Sequence, residues 1–246
     1  MAKTDTSKDP YIEGLEQLAA QQDDLNQQQQ SDKIGDIREV KGKTENHQRY
    51  IRLINEKSIV LCYGVAGSGK TSISCGVAAN LIKSGKYERI IITRPIVESG
   101  EKLGFLPGSV GEKQEPYLIP LWEEFKNYIS MDLFRKWHHN SPKILEAIPI
   151  AYLRGRNFHN SIIIVDEAAN CTIEQLKLVI TRLGNNSKLI INGDVKQSDL
   201  QHWQKGGFAT IINKLRDSRH VGIVKFGLED VVRSGVLRDI LELLDD

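Results

Sequence analysis

Beyond residue 46, short apolar runs alternate with stretches of helical periodicity. The predicted strands are Ser58–Tyr63, Arg89–Thr93, Ile148–Tyr152, Ser161–Val165, Lys188–Asn192 and Gly222–Phe226. Helical patterns follow Lys70, Pro116, Thr172, Gly207 and Gly235. Strands that contain a continuous apolar run, such as SIIIV and KLIIN, suit a parallel sheet that is covered on both faces. The pattern predicts an α/β fold, a three-layer sandwich built on a mainly parallel sheet.

The first 45 residues differ from the rest of the chain. They contain QQDDLNQQQQSD, few branched apolar residues and, apart from Tyr11, no aromatic residue. Such a segment buries too little apolar surface to offset its ordering entropy. The spacing of Ile12, Leu15 and Leu18 allows a short docking helix as the alternative. We therefore predict an acidic, Gln-rich, disordered tail over residues 1–45 and one folded domain over residues 46–246.

The net charge of +1, from 33 basic and 32 acidic residues among 246, averages these two unlike segments. Residues 1–45 carry six Lys or Arg and ten Asp or Glu, whereas the remainder carries 27 and 22. The composition excludes a collagen, a disulfide scaffold and a fully disordered chain. The predicted domain is mildly basic, and this charge is compatible with a polyanionic partner.

The three cysteines and the apolar runs bear on the compartment. Cys62, Cys75 and Cys171 are an odd number without a C-x-x-C pair, which is typical of buried thiols in a reducing environment. The first residues, MAKTDTSKDP, contain no apolar stretch of a signal peptide. No apolar run approaches the roughly 20 residues that span a bilayer. We expect a cytoplasmic protein with no membrane partner.

A phosphate-binding loop follows the first predicted strand. Residues 64–71, GVAGSGKT, match G-x-x-x-x-G-K-[ST], with a strand before them and a helical pattern after them. In such loops backbone N–H groups and the helix N-terminus bind phosphate, the lysine reaches the β- and γ-phosphates, and the hydroxyl ligates Mg²⁺. The predicted ATP-binding residues are Gly64, Val65, Ala66, Gly67, Ser68, Gly69, Lys70 and Thr71.

An acidic pair ends the apolar strand Ser161–Val165. Asp166 is predicted to hold the Mg²⁺ together with Thr71, and Glu167 to act as the general base on the attacking water. An exposed acidic turn that caps the next helix is the structural alternative. A carboxylate beside the metal aspartate favours hydrolysis over phosphoryl transfer to a small molecule.

The strand Lys188–Asn192 leads into the polar segment GDVKQ. In a parallel sheet its carboxyl end faces the nucleotide, so Gln197 is predicted to hydrogen-bond the γ-phosphate or the water. A polar turn without a functional role is the alternative.

Together these residues resemble the PhoH-like ATPases, which are related to the first motor domain of superfamily 1 helicases. The resemblance covers about residues 44–241. It depends on the segments YGVAGSGKT, ITRPIVESGEKLGFLPGSVGEKQEPYLIPLWE, YLRGRNF, VDEAAN and NGDVKQSDL. It implies a RecA-like P-loop NTPase fold and ATP and Mg²⁺ as cofactors.

The resemblance also implies roles for residues outside the loop. Gln48 corresponds to the glutamine that contacts the adenine, with an exposed helix residue as the alternative. Thr93 and Arg94 lie where related motors contact the nucleic-acid backbone. Arg154 and Arg156 carry guanidinium groups that bind phosphate, or that form an ordinary surface ion pair.

One position departs from the family pattern. Related sequences have DEAQN, whereas this chain has Ala169 after Ala168. The missing glutamine commonly links nucleotide state to the rest of a motor. Hydrolysis is still expected because Asp166 and Glu167 are present, whereas the resemblance does not imply tight coupling to movement.

A two-domain helicase completes its site with an arginine from its second domain. Only about 20 residues follow Phe226, fewer than a second domain needs. We therefore expect the arginine to come from a neighbouring subunit, with Arg233 as the candidate and a solvated helix residue as the alternative. The resemblance implies a hexameric ring, with single-stranded RNA or DNA as the polymer.

Three functions remain open at this point. The first is a nucleic-acid-dependent ATPase or helicase-like enzyme. The second is a nucleotide-switched binding protein with slow hydrolysis and no strand separation. The third, a small-molecule kinase, is the least favoured. Such kinases need an acceptor pocket and a lid, and no pattern in the sequence indicates either.

Overall fold

Parallel strands form the sheet on which the rest of the chain is built. The computed structural model describes residues 37–95, 110–140, 142–200 and 206–232. Its strands are β1 (Ile59–Gly64), β2 (Arg89–Thr93), β3 (Leu145–Ala147), β4 (Ser161–Val165), β5 (Lys188–Gly193) and β6 (Val221–Phe226). Their spatial order is β3-β2-β4-β5-β1-β6, and every neighbouring pair is parallel. All carboxyl ends therefore lie at one edge, where the loops after β1, β2, β4 and β5 meet.

Helices connect these strands. They are α1 (Glu45–Glu56), α2 (Lys70–Lys83), α3 (Val110–Lys126), α4 (Met131–His139), α5 (Ile173–Ile180) and α6 (Gly207–Leu215), with short 3₁₀ segments at Ile150–Leu153, Ala168–Asn170 and Leu228–Asp230. The predicted capping box at the start of α5 is present, since Thr172 and Gln175 exchange hydrogen bonds. Within the described ranges, no helix has the length and apolar character of a membrane span.

Two apolar cores lie on opposite faces of the sheet. Along β1, Val60 and Cys62 join the core under α1 to α4, whereas Leu61 joins the core under α5 and α6. Side chains alternate between the faces of a strand, so a strand buried on both sides is mostly apolar instead of alternating apolar with polar residues. The three-layer α/β fold with a parallel sheet is thus confirmed.

The prediction of a strand at Ile148–Tyr152 is wrong. The strand ends at Ala147, and the Ile148 N–H makes a last bond of 2.8 Å to the Ile92 carbonyl. Pro149 follows and has no N–H to continue the ladder, so the apolar residues after it form a 3₁₀ turn instead. Ile150 and Leu153 are buried from that turn.

Helix boundaries also differ from the predictions. The helix predicted after Pro116 begins at Val110 and contains both Pro116 and Pro120. Helices α1 and α4 are not among the predicted helical patterns; their N-caps are Thr44 and Ser130. The docking helix at residues 12–18 and the helix after Gly235 lie outside the described residues.

Residues before the domain boundary predicted at residue 45 pack against the folded domain. The side chain of Ile37 is 6% exposed and belongs to the core under α1 to α4. Its backbone pairs with Ile129, and the Arg38 N–H donates to the Tyr128 carbonyl at 2.7 Å. The folded unit therefore extends at least to residue 37.

The opposite edge of the sheet contains a buried lysine. Lys188, 3% exposed, donates to the carbonyl of Lys57 at the end of α1. Burial, and then the positive charge of Lys86, lower the pKa of Lys188 to about 8. An amine in an unfolded chain has a pKa of about 10.4, so the folded state releases this proton first as the pH rises.

We expect this difference to appear in the pH dependence of stability. Between about pH 8 and 10.4 the unfolded chain binds the Lys188 proton and the folded chain does not, so this group makes stability rise with pH. Relative to the Lys188→Met variant, the wild type should gain melting temperature from pH 8 to pH 10. Lys225→Met, at an exposed strand position, is the matched control. A pH-independent difference between wild type and Lys188→Met would contradict the expectation.

Candidate functional site

The loop between β1 and α2 requires glycine at its ends. Gly64 has a φ of 142°, and a Cβ atom there would lie 2.0 Å from the Phe226 carbonyl oxygen. Gly69 has a φ of 88° and caps α2 without a side-chain hydrogen bond. A residue with a Cβ is strained at both positions. The first N–H groups of a helix have no partner within the helix, and the N-terminus of α2 follows the loop directly, the arrangement that binds anions.

The ammonium of Lys70 lies over this loop. Its Nζ donates to the carbonyl oxygens of Gly64 at 2.8 Å and Val65 at 2.7 Å. The Ser68 side chain also donates to Val65, at 2.7 Å. These bonds hold the cation inside the curve of the loop, where it can approach phosphate oxygens.

Thr71 and Asp166 form the candidate metal position. The Thr71 hydroxyl donates to Asp166 Oδ1 at 2.8 Å across the gap between α2 and β4. Burial, followed by the charge of Glu167, raises the pKa of Asp166 to about 6. In the described ranges no set of three or more His, Cys, Asp or Glu residues is arranged around a metal. One hydroxyl and one carboxylate suit Mg²⁺, which completes its shell with water and phosphate oxygens.

Glu167 is held in an uncommon backbone conformation. Its φ is 53°, in the left-handed region, and the 3₁₀ segment Ala168–Asn170 starts directly after it. Its Oε1 lies 3.6 Å from Arg94 Nη2, and Arg94 Nη1 donates to the Tyr117 carbonyl at 3.2 Å. The predicted base and one predicted polymer contact are therefore ion-paired.

A cavity of about 140 Å³ joins the predicted catalytic residues. Its lining includes Lys70, Thr71, Asp166, Glu167 and Gln197, together with Glu124 and Asp194, which the sequence analysis did not assign. The Gln197 N–H donates to the Asp194 carbonyl at 3.1 Å, which forms a turn after β5. The structure thus brings together residues from the ends of β1, β4 and β5. The predicted roles themselves stay predictions.

A second cavity, of about 310 Å³, adjoins the first and shares Gly67, Gly69 and Ser72 with it. Its lining is Lys41, Lys43, His47, Gly67, Ser68, Gly69, Ser72, Ile73, Glu124, Asn127, Tyr128 and Val232. Gln48 does not line it and is exposed on α1, while its neighbour His47 is buried and lies 2.9 Å from the Ser68 carbonyl. Tyr128 contacts Ser72 through their hydroxyls at 3.1 Å. These residues come from distant segments, and the sequence carries no local signal for them.

A buried carboxylate fixes the start of α1 beside this cavity. Asp230, 0% exposed, accepts hydrogen bonds from Thr44, from Asn46 at 2.9 Å and from the Gly227 N–H at 2.9 Å. Thr44 in turn accepts from the His47 N–H at 3.1 Å. The contact joins the segment after β6 to α1 and so positions His47 on the loop.

A buried polar network connects α1, α2 and β5 behind the loop. Asn192 accepts from the Tyr50 hydroxyl at 2.5 Å and donates to Ser74 Oγ at 2.9 Å. Ser74 donates to the Thr71 carbonyl at 2.9 Å. Burial is the main reason that the pKa of Tyr50 is well above its ordinary value, so the phenol stays a donor. The network fixes the first turn of α2, which bears Lys70 and Thr71.

The four predicted polymer contacts differ in accessibility. Thr93 is 1% exposed, and within the described residues its hydroxyl has no partner. A polymer cannot reach the Thr93 side chain in this conformation. Arg154 is exposed, whereas Arg156 lies 3.8 Å from Glu146 and over the ring of Phe158 at 5.0 Å. Arg233, the candidate intersubunit arginine, lies outside the described residues.

The fold is shared with a bacteriophage protein of known structure. The large terminase from a thermophilic bacteriophage superposes with a TM-score of 0.52, covering 81% of this chain and 49% of that one. Its complex with ADP superposes with a TM-score of 0.51. The sequence identity is 11% in both cases, so the likeness concerns the fold alone.

Sequence comparison gives closer relatives. A PhoH-like protein from Synechocystis is 39% identical over 203 residues, and the protein PhoH from Escherichia coli is 36% identical over 206 residues. The alignments cover 82% and 84% of this chain and 61% and 58% of those proteins, so the chain spans about three fifths of their length. The sequence model of the PhoH-like protein family matches residues 39–245. The chain therefore belongs to the PhoH-like protein family.

Proposed function

We propose that the chain hydrolyses ATP with Mg²⁺ and that hydrolysis is coupled to the binding or remodelling of single-stranded RNA or DNA. The observation that carries the proposal is the cavity at the carboxyl edge of the sheet. Lys70, the Thr71–Asp166 pair, Glu167 and Gln197 line it together, although they come from three separate loops. A cation, a metal-binding pair, a base and an amide are the groups that phosphoryl transfer to water requires.

In the proposed reaction each residue has a separate task. The N–H groups of the loop and Lys70 bind the β- and γ-phosphates and balance the charge that develops on them. Thr71 and Asp166 would hold the Mg²⁺, which supplies further charge neutralisation when bound. Glu167 accepts a proton from the attacking water, and Gln197 orients that water or the γ-phosphate.

The second cavity suits the nucleoside part of the substrate. It adjoins Gly69 and Ser72 at the end of the phosphate loop, and its lining does not include Asp166 or Glu167. His47, Asn127 and Tyr128 provide polar atoms there. Gln48, the residue implied by family resemblance, would need a different side-chain position to reach this cavity.

Assays of polymer binding and of ATP turnover test whether hydrolysis is coupled to single-stranded RNA or DNA. Phosphate release should increase when single-stranded RNA or DNA is added, and binding should weaken as salt rises, because phosphate contacts release counterions. A homopolymer pair, poly-U and oligo-dT, distinguishes the two sugars. Turnover that is the same with and without either polymer would contradict the coupling but not the hydrolysis.

A nucleotide-switched binding protein is the second candidate, and Ala169 favours it. Ala169 is 4% exposed, and its N–H lies 2.9 Å from where a Cβ atom of Gly193 would be. Position 169 lies where the loops after β4 and β5 meet. Alanine has no side-chain amide that could hydrogen-bond from one loop to the other. Polymer binding that changes between ATP and ADP, without polymer-stimulated turnover, would support this function.

The proposed assembly is a ring-like homo-oligomer, hexameric by family resemblance, in which Arg233 reaches the site of a neighbouring subunit. A measurement of native mass with a non-hydrolysable ATP analogue tests the assembly. A monomer with full activity would contradict it.

A further inference from the structure

The backbone of Arg94 is held at the carboxyl end of β2. It follows Thr93, the last residue of the strand, and precedes Pro95. A residue before proline is restricted to extended backbone conformations. Its guanidinium then reaches α3, where Nη1 donates to the Tyr117 carbonyl. Only a change of side-chain rotamer is needed to move the group away from the site.

The same guanidinium contacts the proposed base. Arg94 Nη2 lies 3.6 Å from Glu167 Oε1, with the two side chains 23% and 43% exposed. The separation is that of an ion pair and is longer than a charge-assisted hydrogen bond. The pair is thus open to solvent and is easily broken by a competing anion.

Two functions compete for each of these groups. A carboxylate oxygen that faces a guanidinium is less available to accept the proton of a water. A guanidinium that binds Glu167 and Tyr117 has fewer N–H groups left for a phosphate, which it binds best through two parallel bonds. Occupation of Arg94 by a phosphate therefore frees Glu167.

We propose that Arg94 is a positioning residue that restrains Glu167 until a backbone phosphate of the single-stranded polymer binds its guanidinium. The inference rests on the proposed function and names the regulation of that site. It gives the chain a link between polymer and base that does not pass through position 169. Ala169 has no side-chain amide for that task.

The size of the effect follows from the exposure of the pair. An ion pair as exposed as this one shifts an equilibrium by about two- to fivefold. A ligand cannot shift it by more than its own difference in affinity for the two states. We therefore expect modest regulation rather than an absolute switch.

The test is steady-state ATP hydrolysis by Arg94→Ala, with and without single-stranded RNA at saturating concentration. The basal kcat should rise about two- to fivefold without a change in the KM for ATP. The added RNA should give no further increase. Arg94→Lys keeps the charge and should restore part of the restraint. Arg52→Ala, which removes an exposed arginine from α1, is the matched control for general loss of positive charge.

Each other outcome is informative. A fall in basal kcat would mean that Arg94 assists the chemistry, and an unchanged basal kcat would mean that it only binds polymer; both overturn the inference. Retained stimulation of Arg94→Ala overturns it as well. If the wild-type chain does not hydrolyse ATP, the proposed function fails, and the inference fails with it. Thermal melting shows whether each variant is folded.

Discussion

Replacing Glu167 by glutamine is expected to lower ATP turnover by about 100-fold or more, the usual contribution of a positioned general base. Glutamine keeps the size of the side chain and its place in the cavity beside Asp166. It cannot accept the proton of the attacking water. The loop, Lys70 and Thr71 are untouched, so ATP binding should remain within a few-fold of the wild type. Phosphate release and fluorescent-nucleotide titration measure the two quantities separately.

The matched control for this substitution is Glu174→Gln. Glu174 is exposed in the first turn of α5. Its replacement by glutamine removes the same charge at a position outside the cavity. It should keep wild-type turnover. Undiminished turnover of Glu167→Gln would remove Glu167 from the role of base. Loss of nucleotide binding would instead show that the carboxylate supports the site structurally.

The largest expected effect on stability is that of Asn192→Ala, a loss of about 3 kcal/mol, because buried polar groups lose their partners. The amide of Asn192 is 1% exposed and serves both the Tyr50 hydroxyl and Ser74. Truncation leaves a cavity as well as these unsatisfied groups. Urea unfolding provides the measurement. Since Ser74 is tied to the Thr71 carbonyl, nucleotide affinity should fall too.

A double-mutant cycle separates the network from general packing. Tyr50→Phe removes one hydroxyl and should cost about 1 to 2 kcal/mol. Combined with Asn192→Ala it should cost less than the sum, because both changes delete the same bond. Asn213→Ala, at an exposed position of α6, serves as the control. A loss below about 0.5 kcal/mol for Asn192→Ala, the range of neutral surface changes, would contradict the structural role.

Much of the fold follows from patterns that are local in the sequence. The strands Arg89–Thr93 and Ser161–Val165 have the predicted bounds, since each contains a continuous run of three isoleucines, the pattern of a strand buried on both faces. The missed helices, α1 and α4, begin at polar N-caps and alternate polar with apolar residues, a pattern that we did not assign. The error at Ile148–Tyr152 has one cause. An apolar run specifies burial, while Pro149 decides how the backbone is bonded.

The parts of the site that lie in one stretch of chain are predictable from local sequence. The loop of residues 64–71 and the pair Asp166–Glu167 each follow directly after a strand. Their positions are therefore set by that strand and by the residues next to it. Such geometry is set by neighbouring residues, through glycine torsions and the period of side chains along a strand.

Contacts between distant groups depend on how the elements pack in three dimensions. Asp230 fixes α1 and so places His47, not Gln48, against the loop. Arg94 pairs with Glu167 because β2 and β4 are neighbours in the sheet. These contacts depend on strand order and on the packing of helices across the sheet. Such long-range contacts leave no period or spacing in the local sequence, since the chain between the partners is free to vary.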